Sequence, residues 1–150
     1  MAQLSKKDQI AEAALRLFLE HGIKGTSVDM VVKTSGVSKP TVYNHFPDKA
    51  TLLIHVIQCW LETQPNPAFK AKTLNAIQTE IMQRWLTTDS LRLYGLFMGE
   101  GFRAPEARDL FKFNFDAQWR QTLQTWGNQF DLEPQTLNAM VNDTIVSALL

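Results

Sequence analysis

Between residues 22 and 48 the chain is punctuated so closely that only short helices fit. Gly22, Ser27, Gly36, Ser38 and the run Phe46-Pro47-Asp48 follow one another at intervals of two to nine residues. A serine just before a helix accepts one of its free N–H groups, and a glycine just after it lets the chain turn away. Ser27 therefore opens a helix that Gly36 stops, and Ser38 opens a second, with Pro40 tolerated in its first turn. Phe46-Pro47 closes that second helix. Val28, Val31 and Val32 give the first helix an apolar face, and Val42 and Phe46, four residues apart, give one to the second. Gly36 can take the positive φ of a sharp turn, with Val37 tucked behind it. Longer helices flank this pair. Ser5, with Asp8 three residues on, opens one along Ile10, Ala14, Leu17 and Phe18, ending at Gly22. Asp48 opens the other, through Leu52, Leu53, Val56 and Ile57.

The rest of the chain has helical period as well. It has no Asn-Gly or Asp-Gly hairpin turn and no sustained alternation, so the expected fold class is all-α. Gln64-Pro65-Asn66-Pro67 marks a boundary. Beyond it the pattern predicts helices at about 68–87, 89–102, 105–127 and 134–150. In the third of these, Ala107, Phe111, Phe115, Trp119, Leu123 and Trp126 form one apolar stripe, and Leu110, Phe113 and Ala117 a second. One stripe is expected to face its own core and the other a pocket or a partner chain. In the last helix Leu137, Val141, Ile145 and Ala148/Leu149 make a stripe that also needs a partner, so that either this helix dimerises or the chain is a shortened one.

A short capped helix, a sharp turn and a second capped helix make the helix-turn-helix layout. Such a unit enters the DNA major groove with polar and basic side chains from the start of its second helix. Ser38, Lys39, Thr41 and Asn44 stand there. Net charge is zero, but residues 1–55 carry seven basic against five acidic side chains and residues 56–150 eight against ten, so the small positive excess lies with the motif. No apolar run approaches a membrane span. The single cysteine, Cys59, cannot form an internal disulfide; it reads as a small buried hydrophobe and fits a reducing cytoplasm. His21, His45 and His55 show no metal-ligand spacing with Cys59 or with acidic residues, and Asp48 near His45 reads as a cap. No Gly-rich phosphate loop or nucleophile elbow is present. The expectation is therefore of no enzyme, no cofactor, no metal and no catalytic residue.

Gly22, Gly25-Thr26-Ser27-Val28, Gly36-Val37-Ser38, Thr41-Val42-Tyr43-Asn44-His45-Phe46, Lys49 and Leu52 fall in the order and spacing of the TetR family signature. Ala13-Ala14-Leu15-Arg16-Leu17-Phe18 resembles that family's first helix, and the resemblance covers about residues 8–55. Ser35 and Val32 depart from it, since the family usually has alanine before the turn glycine and in the preceding helix. Lys39 and Asn44 have the donors to read guanine and adenine edges, though each could be a solvated helix residue. Thr41 is placed for a thymine methyl or a phosphate. Pro40 resembles the family's groove-facing proline and equally suits a helix start. Tyr43, His45 and Lys49 resemble phosphate clamps, with a structural His45 and a solvated Lys49 as the alternatives. Thr26, Ser27 and Ser38 can donate to phosphate.

The same resemblance implies an organisation with a DNA-binding domain at residues 1–50 and a helical effector-binding and dimerisation domain at 51–150. It implies a cytoplasmic regulator and expected repressor, acting as a homodimer on a near-palindromic double-stranded operator and answering to a small hydrophobic or amphipathic ligand. Trp85, Tyr94, Met98, Phe111, Phe115 and Trp119 are the candidate ligand contacts, although for any single aromatic among them core is the favoured reading. Residues 91–108 resemble the AefR-like subgroup. The competing reading is a shortened regulator that forms heterodimers without productive DNA binding.

Overall fold

A computed structural model describes residues 4–150. These residues are helical, with no strand among them. The amino-terminal helices are α1 (Lys6–His21), α2 (Val28–Ser35), α3 (Lys39–His45) and α4 (Lys49–Glu62). They are followed by α5 (Leu74–Arg84), α6 (Thr88–Glu100), α7 (Pro105–Phe111), α8 (Ala117–Asn128) and α9 (Pro134–Leu149).

Three of the expected caps form, at Ser5, Ser27 and Asp48. Ser5 Oγ accepts from Asp8 N at 3.1 Å, Ser27 Oγ from Met30 N at 3.2 Å and Asp48 Oδ1 from Thr51 N at 2.7 Å. Each satisfies an N–H that the first turn leaves without a partner. Gly36 sits in the left-handed region at φ 71°, which is what closes α2 and turns the chain toward α3.

The chain divides into two compact units. The first comprises residues up to Gln64 together with Leu96–Phe111; the second comprises Pro65–Gly95 and Lys112–Leu150. The boundary expected at residue 50 falls inside the first turn of α4, and all of α4 belongs to the first unit. That unit's core is largely aliphatic near the motif: Ile10, Ala14, Val31, Val42, Leu52, Leu53 and Ile57 are buried with Phe18, each of the larger ones contributing about 1.5–3 kcal/mol. Its far side is aromatic, with Phe111 packed against Trp60 and Phe97 at centroid distances of 5.8 and 5.4 Å.

In the second unit three expectations change. The helix expected from residue 68 begins instead at Leu74, capped by Thr73. The Glu80 carboxylate accepts from Lys70 N and Ala71 N, while Arg84 Nη1 donates to Ala68 O and Arg84 Nη2 to Asn66 O, so residues 66–71 are held in an open conformation. The helix expected at 105–127 is interrupted by a π turn at Lys112–Asp116. The first stripe, Ala107 to Trp126, is buried throughout, but Phe113 of the second is 57% exposed and Ala117 is exposed too. Leu137, Val141 and Ile145 of α9 are buried within this unit, where α9 packs on α8, so that part of the stripe has its partner in the same chain.

Candidate nucleic-acid interface

The α2–turn–α3 unit is anchored by Val28, Val31, Val37, Val42 and Phe46, all buried. With that side fixed, α3 turns Lys39, Pro40, Asn44 and His45 to solvent, and leaves Thr41 and Tyr43 half-buried. Ser38 and Thr41 share a hydroxyl–hydroxyl hydrogen bond of 2.8 Å, so Ser38 opens α3 without capping it by its side chain. Ser27, exposed, caps α2 through its oxygen and keeps its own proton for another acceptor.

Lys39 and Tyr43 do not stand alone on this face. Tyr43 OH donates to Asp29 Oδ1 at 2.7 Å, and Lys39 Nζ lies 3.5 Å from the same oxygen. Lys39 Nζ is also 5.7 Å from the centroid of the Tyr43 ring. The Tyr43 hydrogen bond, then the Lys39 charge, hold the Asp29 carboxyl below the usual aspartate range. That same hydrogen bond pushes the Tyr43 phenol up, so it stays a donor. Asp29 therefore links α2 to α3 and offsets part of the positive charge that α3 presents.

Two residues expected at phosphate already have partners within the protein. Thr26 is 1% exposed, and its hydroxyl turns inward to Gly22 O at 2.7 Å and Leu17 O at 3.1 Å; it ties the end of α1 to the start of α2 rather than facing solvent. Lys49 is half-buried and donates from Nζ to Ile23 O at 2.7 Å, so at least one of its three protons is committed within the protein.

The turn that receives Thr26 and Lys49 has a third partner that local spacing does not reveal. Glu100, at the end of α6, accepts from Ile23 N and Lys24 N, each at 3.0 Å. Its partners lie 76 and 77 positions away, beyond any motif window. The Lys24 N–H, then the Ile23 N–H and the Arg103 and Lys49 charges, hold its carboxyl below the usual glutamate range. Gly22 is required here by its φ of 80°, which L side chains rarely adopt, and a Cβ there would also push the Glu100 carboxylate off its two N–H donors.

The aromatic candidates separate. Trp85, Tyr94, Phe115 and Trp119 pack together in the second unit, with the indoles of Trp85 and Trp119 stacked at 6.2 Å and Phe115 touching both Trp85 and Tyr94. Trp119 Nε1 donates to Tyr94 OH at 3.0 Å, and Tyr94 OH donates to Asp116 Oδ1 at 2.5 Å. Arg120 Nε donates to that same carboxylate at 2.7 Å. Burial, then the Asp116 charge, push the Tyr94 phenol far up, which keeps it protonated as the donor. Among the described residues, Trp85 Nε1 is a buried donor with no hydrogen-bond partner. Phe111 belongs to the first unit, as does Met98, which is 65% exposed.

Asp8, His55 and Cys59 place a ligand atom each within 4.8 Å of one another, although the histidines had no metal spacing by the usual patterns. The four-residue step from His55 to Cys59 along α4 is the signal in the sequence; the approach of Asp8 from α1 is visible only in the fold.

Residues 10–56 match the family model for bacterial regulatory proteins of the tetR family. Over 60 residues the chain is 37% identical to the HTH-type transcriptional regulator SAB2452 of Staphylococcus aureus (strain bovine RF122 / ET3-1), covering 40% of this chain and 32% of that protein. Over 52 residues it is 38% identical to the HTH-type transcriptional regulator SAUSA300_2515 of Staphylococcus aureus (strain USA300), covering 35% and 28%. The matched region is thus about a third of the length of these curated relatives. Among solved structures, Salmonella enterica GusR aligns over 97% of this chain and 84% of its own, with a TM-score of 0.68 and 20% identity. The flavonoid-responsive regulator FrrA aligns over 83% and 67%, with a TM-score of 0.60 and 27% identity. The fold is therefore that of an amino-terminal helix-turn-helix followed by a helical carboxy-terminal part, and the relatives are regulators rather than enzymes. No helix among the described residues is long and apolar enough to cross a membrane.

Proposed function

We propose that this chain, whose residues 10–56 are a tetR-type reading head, is a cytoplasmic transcriptional regulator that binds double-stranded DNA as a homodimer. The observation that carries the reading is the α3 face: Lys39, Pro40, Asn44 and His45 are exposed on a helix whose opposite side is locked by Val42 and Phe46. Lys39 and Asn44 read base edges, Thr41 meets a thymine methyl or a phosphate, and Ser27, Ser38, Tyr43, His45 and the remaining protons of Lys49 bind phosphate. One seven-residue recognition helix reads too few base pairs to define a site, so two heads related by a two-fold axis would meet a near-palindromic operator.

Repression relieved by a small hydrophobic or amphipathic ligand is the regulatory mode we infer. Trp85, Tyr94, Phe115 and Trp119 would supply its contacts, supported by the unpartnered donor of Trp85. The residues at 91–108 that resemble the AefR-like subgroup include Glu100, which ends α6 on the Gly22–Lys24 turn. The first half of α6 belongs to the second unit, so a ligand that moves α6 acts on that turn, to the extent of its differential affinity for the two states.

Selection from randomised duplex DNA tests the reading. Enrichment of a palindrome with half-sites about one helical turn apart is expected. Recovery of no sequence above background by a chain of native helical content overturns it.

A further inference from the structure

Asp8, His55 and Cys59 bring a carboxylate oxygen, an imidazole nitrogen and a sulfur to one place on the first unit. Asp8 stands exposed in the first turn of α1, its backbone N–H fixed by Ser5. His55 and Cys59, both half-buried, lie four residues apart on one face of α4. His55 Nε2 is 3.3 Å from Cys59 Sγ, and Cys59 Sγ is 4.0 Å from Asp8 Oδ1. Around a tetrahedral zinc ion, with bonds of about 2.3 Å to sulfur and about 2.0 Å to nitrogen or oxygen, neighbouring ligand atoms stand roughly 3.3–3.6 Å apart. The His55–Cys59 edge already has that length. The Asp8 carboxylate stands farther out, 4.0 Å from the sulfur and within 4.8 Å of the imidazole nitrogen, so this exposed side chain must rotate inward to complete the triad. The Phe46 ring, 5.0 Å from the His55 ring, forms a wall on one side of the imidazole.

We propose that Asp8, His55 and Cys59 form a binding site for a divalent transition metal of the zinc class, bridging α1 and α4 and leaving a fourth position for water. The donor set selects the metal: sulfur and imidazole suit zinc or cobalt, whereas magnesium and calcium take oxygen shells. The surrounding charge is mixed. Glu62, one turn beyond Cys59 on α4, adds negative charge on this side, while Lys7, beside Asp8, opposes it. Binding replaces the Cys59 thiol proton by the ion and releases that proton to the buffer, with no change in oxidation state. Since α1 packs on α4, the ion would brace the reading head from the side away from any local motif.

Cobalt(II) titration of the full, untagged, metal-stripped and reduced chain tests this. A sulfur-to-cobalt charge-transfer band saturating at one ion per chain is expected, together with its loss on adding zinc and a rise in melting temperature with either metal. Cys59→Ser should abolish the band. Asp8→Asn, at an exposed position that leaves the fold intact by circular dichroism, and His55→Gln should each weaken cobalt binding about 10- to 100-fold. Absence of the band overturns the proposal. So does a band whose affinity in Asp8→Asn and His55→Gln equals that of the wild-type chain, which would be the chemistry of a thiol alone.

Discussion

The two units solve the same problem, burying an apolar interior, with opposite uses of polar side chains. In the first, polar groups work at helix ends: Ser5, Ser27 and Asp48 each take a backbone N–H three residues ahead, over an aliphatic core. In the second, they run through the interior. Trp119 donates to Tyr94, Tyr94 and Arg120 donate to Asp116, and Arg120 reaches Asn142, all beside a stack of aromatic rings. Anchored on one side by Val42 and Phe46, α3 keeps its other face for a partner recognised by charge and hydrogen bonds. An interior network does the reverse: it fixes rings in place and commits their polar atoms to each other.

The largest expected effect lies in the second unit. Trp119→Ala removes a fully buried indole and its hydrogen bond, and should cost about 3–5 kcal/mol of stability in denaturant unfolding. Tyr94→Phe keeps the ring and strands the Trp119 donor and one acceptor site of Asp116, for about 1–3 kcal/mol. If Trp119→Ala proves nearly neutral, the network is not what holds this unit and the contrast with the first fails.

Lys39→Ala should invert the pattern: little change in unfolding, but a loss of roughly tenfold or more in preference at one base position, from a contact worth about 1–3 kcal/mol. Competition between the selected duplex and single-base variants reads this directly. A variant that loses affinity evenly across sequences would make Lys39 a phosphate contact instead.

The contrast also explains what the sequence discloses. Caps act over three residues, so Ser5, Ser27, Gly36 and Asp48 announce α1 to α4 and the reading head. The bonds that shape the remainder span long separations. Glu80 and Arg84 hold residues 66–71 out of the helix expected from residue 68, and no local pattern records that. Thr26 matches the family signature, yet whether its hydroxyl faces phosphate or Gly22 O is decided by the packing of α1. The π turn left a trace that is readable afterwards. Ala107, Phe111, Phe115, Trp119 and Leu123 repeat every four residues, longer than the 3.6 of an α-helix, and a wider turn at Lys112–Asp116 keeps them on one side.

Glu100→Gln sharpens the comparison, because Glu100 ties the reading head to the end of α6 across more than seventy positions of chain. Loss of the charge that accepts from Ile23 N and Lys24 N should cost about 1–2 kcal/mol. Its pH dependence has a definite sign. The folded protein holds this carboxyl below its ordinary value of 4.5, so the stabilisation is fully present above 4.5 and is lost as pH falls through the lower folded value. Wild type and Glu100→Gln should therefore differ most near neutrality and converge in acid. A gap that persists unchanged at low pH would assign the effect to packing against Gly22 rather than to charge.

The smallest effect concerns Asp29, and its sign is the informative part. Asp29 accepts from Tyr43 and pairs with Lys39, both on the face proposed to meet DNA. An exposed pair of this kind adds little to stability, so its removal should leave unfolding almost unchanged. For DNA the balance differs, since a carboxylate beside the groove opposes phosphate and holds back two donors. Asp29→Asn should tighten binding to all duplexes by about twofold to fivefold, and most at low salt. Because Asp29 is held below the usual aspartate range, wild type stays ionised across neutral pH and shows no titration of this effect there. Weaker binding by Asp29→Asn would mean that the carboxylate preorganises Lys39 and Tyr43 for the groove, and that the reading head also depends on a polar network to fix its working geometry.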